Sequence, residues 1–169
     1  MAFIYDKKEQ VKTKIRNFND FYKDAMNKGI SIVPFDIYKY VNSFDDIEII
    51  NNDDKLFPFL GLIEKYQDGF VIAISKYVRI ERQREILARL FAHLVLHRDY
   101  ILQNRKIEIK NIWTADKMSV EANEFVGKLL MPKATFETIC GECKTFGEVA
   151  EYFNITPQIA KLRFFNLFK

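Results

Sequence analysis

The sequence is short of the residues that staple or punctuate a chain. Two cysteines, Cys140 and Cys143, do not make a disulfide framework. Six glycines and four prolines are too few for a disordered or fibrous protein, and no repeat or low-complexity linker interrupts the chain. Nor is there an excess of one charge. The 26 Lys and Arg against 23 Asp and Glu give no whole-protein nucleic-acid footprint, although a local basic patch remains open. No apolar run approaches the ~20 residues of a membrane helix. The N-terminal "MAFIYDKKEQ" is too charged for a signal peptide. These absences lead us to expect a cytoplasmic protein with no membrane contact.

What the chain has in plenty is apolar surface. Hydrophobic residues make up 49% of its 169 residues, with 16 Phe and 8 Tyr, enough for one sizeable core. The segment 7–28 carries Val11, Ile15, Phe18, Phe21, Tyr22 and Ala25 at three- and four-residue spacings, an amphipathic helix that Gly29 ends. Pro34 can open a second helix through "FDIYKYVNSF". "IEII", "FLGLIEKY" and "GFVIAIS" read as three short strands, with "NNDD" between the first two and "QDG" turning the second into the third. A long helix follows at about 82–97, then a mixed segment (99–115) with Trp113, then helices at about 117–130 and 133–140 and a helix-turn-helix-like tail. The order predicts an α+β fold, a small three-stranded sheet packed on a central helix. Residues 1–140 form the main domain and 141–169 a helical tail of the same domain.

The central helix contains "EILARLFAHLVLH", in which the only polar residues are Glu85, Arg89, His93 and His97, one every fourth position. Such a spacing keeps all four on one face. A solvent-facing helix shows a polar face wider than one residue, so the file must face a groove or another helix and needs partners there. Two histidines four apart can hold a metal, as in H-E-x-x-H. Here Leu94 follows His93, and one turn earlier the pair would be Arg89 and His93 with Leu90 at the activating position. Neither register supplies a carboxylate to act as general base.

The chain resembles the ImmA/IrrE family of HExxH zinc metallopeptidases over nearly its full length. "GISIVPFDIYKYV" and "GLIEKYQDGFVIAIS" are similar to the family's N-terminal half and strands, and "GEVAEYFNITPQIAKLRFFNL" to its helical tail. "ARLFAHLVLH" is similar to its metal helix and "EANEFVGKLLMP" to the partner helix. The resemblance implies a zincin-like fold in which the second histidine ligand falls on His93 and the third ligand on Glu121. It places the first ligand at Arg89 and the general base at Leu90, with His97 a non-ligand histidine. No metal is expected; zinc is the ion if there is one. Arg89 would pair with Glu121 and replace the ion as the tie between two helices. The rival is a rearranged site of His93, His97 and Glu121, short of its activating Glu unless Glu85 or Glu124 swings in; Glu124 reads better as a surface partner of Lys128.

"CGEC" lacks both a second cysteine pair and a βαβ setting, and reads as inert thiols. In the tail (145–167), Thr156 caps a helix that Pro157 opens, with Gln158, Lys161 and Arg163 as its thin basic face and Phe164, Phe165 and Phe168 as a surface for a partner. Family members with intact sites act on transcription repressors of phages, mobile elements and stress regulons. The first expectation is therefore a pseudo-peptidase that binds a helix-turn-helix repressor or similar protein without cutting it, the segment 69–75 serving as an edge strand for an extended partner. The second is a working zinc endopeptidase with a rearranged ligand set. The third is a DNA-binding regulator using the tail.

Overall fold

A computed structural model describes residues 18–168. Helix α1 (Phe18–Asn27) is followed by the short α2 (Ile37–Val41) and three strands, β1 (Ile47–Asp53), β2 (Gly61–Tyr66) and β3 (Gly69–Ser75). The long α3 (Ile80–Leu96) and α4 (Arg98–Asn104) lead to β4 (Lys106–Ile109). Four helices complete the chain: α5 (Lys117–Leu130), α6 (Lys133–Glu142), α7 (Phe146–Phe153) and α8 (Pro157–Leu167). The first part of the expected 7–28 helix, residues 7–17, lies outside the described residues. Pro34 does not open α2. Asp36 caps it, accepting the Lys39 backbone N–H at 3.0 Å.

The fold is α+β, and its sheet has four strands, in the order β1-β3-β2-β4. The fourth, β4, lies in the mixed segment 99–115, where "KIEI" alternates for too few residues to stand out from its charged flanks. β3 runs parallel to β1 and antiparallel to β2, and β2 pairs antiparallel with β4. This corrects the expected role of 69–75. β3 is hydrogen-bonded on both sides, which explains why almost every one of its residues is buried. The edges belong to β1 and β4.

The "QDG" turn joins β2 to β3 through Gln67 and Asp68, with Gln67 in the left-handed region at φ 50°. Gly69 then passes so close to the chain before β1 that a Cβ would stand 2.5 Å from the Asp46 carbonyl oxygen. Beneath the sheet, α3 comes equally near. A Cβ on Gly61 would sit 2.9 Å from Leu90 Cδ1. On its other sides α3 meets α2 and α5, and Phe21, Tyr40, Phe91 and Phe125 pack edge-to-face in the core between them. A helix enclosed by a sheet and helices is buried almost all round, so Leu87, Leu90 and Leu94 are fully covered.

Candidate functional site

Three members of the polar file are core residues: Glu85 is 4% exposed, Arg89 3% and His93 3%. Each needs a partner, and the partners differ. Glu85 accepts both the backbone N–H and the hydroxyl of Thr156, the second at 3.1 Å. Thr156 begins α8 and makes no side-chain cap of its own, so the carboxylate of α3 takes over that end of the tail. Burial pushes the Glu85 carboxyl above its usual value, against the Thr156 hydrogen bonds that pull it down. Next to it, Arg84 donates to the carbonyls of Phe35, Asn154 and Phe153, the last at 2.8 Å, clamping the same junction.

Arg89 has no carboxylate partner among the described residues. One of its N–H groups donates to the Ile112 carbonyl at 2.9 Å, and Asn123 Nδ2 donates to the same oxygen at 3.0 Å. Burial lowers its pKa to about 10. The expected Arg89–Glu121 pair is not formed. Glu121 is instead taken by His97, with Nε2 to Oε2 at 2.9 Å, while Lys117 stands 3.8 Å from its other oxygen. The reason is reach: Glu121 lies on the outer side of α5, 43% exposed, level with the last turn of α3. Glu124 pairs with Lys128 at 2.7 Å, as expected.

His93 Nδ1 meets His97 Nδ1 at 3.0 Å, so His93, His97 and Glu121 form one hydrogen-bonded chain. With Glu121 ionised, its His97 bond holding it below the usual carboxylate range, His97 donates from Nε2. The two Nδ1 atoms share one hydrogen bond, which leaves His93 Nε2 outside the chain. Burial first, then the neighbouring His97 and Arg89, lowers the His93 pKa to about 3, so this imidazole stays neutral.

A catalytic zinc needs three protein donors that converge on one point at about 2.0–2.2 Å, with a fourth position open. The residues here do not fit it. Arg89 carries five N–H donors and no lone pair. His97 spends both ring nitrogens in different directions, one toward His93 and one toward Glu121. Leu90, where the general base was expected, is packed under Gly61 in the core. Among the described residues no group of three or more His, Cys, Asp or Glu side chains is placed to hold a metal ion.

Arg89 and His93 open onto a cavity of about 960 Å³. The edge strand β4 and the residues that follow it also line the cavity, together with Tyr100, Asp116 and Met118. The IrrE N-terminal-like domain (Peptidase_M78) matches residues 45–165, taking in the whole sheet, α3, α5 and most of α8. The chain belongs to this family. No curated protein and no solved structure matches it. The IrrE-like match thus spans the lining of the cavity and the tail that Glu85 holds.

Two other expectations can be placed. Cys140 and Cys143 are free thiols at the end of α6, and burial raises both pKa values, away from reactive thiolate. In the tail, Gln158 and Lys161 are exposed, but Arg163 is 6% exposed and packs at Gly127, which thins the basic face further. Phe165 and Phe168 are about half exposed, whereas Phe164 is partly buried against Phe146 and Phe168. Sequence reasoning missed Ile112, Asn123 and Asp116 as site residues. Of these only Asp116, a helix-capping type just before α5, carried a local signal.

Proposed function

We propose that this IrrE-like chain is a pseudo-peptidase on a zincin-like scaffold. It acts as a cytoplasmic regulatory protein that holds a protein partner in the groove beside α3 and does not cut it. The observation that carries the reading is Arg89 buried and hydrogen-bonded to Ile112, with Leu90 absorbed into the core one residue on, at the positions where the family resemblance puts the first metal ligand and the general base. A cation and a leucine supply neither a ligand nor a base, so no water is activated. The groove is lined by the strand β4, which among the described residues is paired on one side only, so that an extended segment can add as a further strand. The class of partner, a helix-turn-helix transcription repressor, rests on the family resemblance.

A rearranged zinc peptidase is the second reading, favoured by the nearness of His93, His97 and Glu121. Metal content separates the two. Purified untagged chain is compared by mass spectrometry with an Arg89→His, Leu90→Glu double variant. The reading expects no zinc in the parent and about one per chain in the variant, the stoichiometry of a single catalytic site. Stoichiometric zinc in the parent, with chelator-sensitive cleavage of a repressor, would overturn it.

A further inference from the structure

We propose that the cavity beside α3 is a carboxylate-binding site, in which the Arg89 guanidinium holds a carboxylate of a peptide ligand. The inference rests on the pseudo-peptidase reading, because it takes Arg89 as the permanent occupant of the first-ligand position.

Arg89 is 3% exposed, lines the cavity, and spends one N–H on a backbone carbonyl. A guanidinium has five such donors in a planar fork, and burying it without a counter-ion is unfavourable. Among the described residues, Asp116 and Glu85 are the carboxylates whose fields reach it, and both are engaged elsewhere. Glu85 is held by Thr156. Asp116 caps α5 through the Ser119 backbone N–H at 3.0 Å, and the Ser119 and Thr114 hydrogen bonds keep it ionised there. A cation this well buried and this poorly paired is completed by an anion from outside.

The charges on the wall say which anion. Lys106 and Glu108 neutralise one another at 2.7 Å, leaving Arg89 and Lys110 against Asp116, an excess of one positive charge. His93 is neutral and adds none. One excess charge and one planar fork suit a monoanionic carboxylate better than a phosphate dianion. Phe59, Ile107 and Met118 give apolar wall for the carbon chain that carries it. Because β4 lines the same cavity as Arg89, a peptide lying along that edge brings either its C-terminal carboxylate or an Asp or Glu side chain to Arg89.

The test uses the full chain, ¹⁵N-labelled, with the Arg89 Nε–H resonance assigned by its loss in Arg89→Met. The probes are N-acetyl-trialanine as free acid, the same peptide as its amide, N-acetyl-Ala-Asp-Ala amide, and inorganic phosphate. The expected result is a saturable shift of the Arg89 signal by at least one carboxylate peptide. The neutral amide should bind about tenfold more weakly, the factor one charge-assisted pair carries, with phosphate weaker than the acid. The terminal and side-chain carboxylates are told apart by which of the two peptides binds. In Arg89→Met, followed through the backbone amide signals of the cavity wall, the preference for acid over amide should vanish. Should that variant fail to fold, the wild-type titration still decides. Equal response to acid and amide, tightest binding of phosphate, no response at all, or a preference that survives Arg89→Met overturns the proposal. In a metal-free sample with uncut peptides, such a failure removes the carboxylate site alone. Zinc in the sample or shortened peptides in its mass spectrum overturns the pseudo-peptidase reading and the carboxylate site together.

Discussion

Glu85 and Arg89 stand one turn apart on the same buried face of α3, almost equally covered, yet one is closed and the other open. Glu85 meets Thr156, whose backbone and side-chain donors satisfy both of its oxygens, and it ties the tail to the central helix. Arg89 meets one carbonyl and a cavity. A buried polar group whose partners come from its own chain is part of the architecture. One whose remaining valences face a groove is kept for something the chain does not supply. On the proposed reading, the function belongs to the Arg89–His93 end of the file, while the Glu85 end ties the tail to α3.

Three measurements would break or sharpen that contrast. The largest effect belongs to Glu85→Leu, which strips the acceptor from the Thr156 N–H and uncaps α8. It should cost about 3 kcal/mol in urea unfolding and release hydrogen-exchange protection in α8 first. A loss below about 1 kcal/mol would mean that Glu85 is no latch.

Next comes acid. A histidine held neutral at about 3 takes up its proton in the unfolded chain near the ordinary 6.5 and in the folded chain only far below it. Stability from His93 is therefore full above pH 6.5 and falls as pH drops toward 3. At pH 5 the loss is about 2 kcal/mol. Glu85, with its pKa raised, runs the other way: its contribution is full below the usual carboxylate value and is lost as pH rises through the folded one. Comparing unfolding curves of the parent with His93→Gln and, separately, Glu85→Gln isolates each slope. A His93→Gln curve parallel to the parent between pH 7 and 5 would show that His93 is not held neutral by burial.

The smallest effect on stability, and the one of opposite sign, is expected of Arg89→Met. The Ile112 carbonyl keeps its Asn123 donor at 3.0 Å when the arginine is gone. Replacing an unpaired buried cation by an apolar chain of similar length is neutral or stabilising, by up to about 2 kcal/mol. Thermal unfolding reads the sign. Destabilisation as large as that of Glu85→Leu would make Arg89 a structural residue like its neighbour and erase the contrast.

Much of the site was legible from spacing. Four polar residues at every fourth position in an otherwise apolar helix announced a buried face, and the absence of a Glu after either candidate histidine is the sequence feature on which the proposed pseudo-peptidase reading rests. Partners were not legible. Arg89 with Glu121 is the pairing that charge alone prefers, but a side chain pairs with what its helix turn brings within reach. The last turn of α3 puts His97, not Arg89, beside Glu121. Thr156 was recognisable as a helix cap, but its true partner is 71 residues away. The fold shows the same division. "GFVIAIS" reads as a strand from any window, yet its central place follows from the parallel ladder with β1 and from β4, whose alternation is too short to declare itself.

The sequence by itself determined most of the elements, the buried polar file and the lack of a Glu after either histidine, because periodicity and residue chemistry are local properties of the chain. Only the tertiary structure decided which member of the file is satisfied and which faces a groove. That choice depends on donors and acceptors brought from α5, α8 and the loop after β4, and their distances are set by packing and not by spacing along the chain.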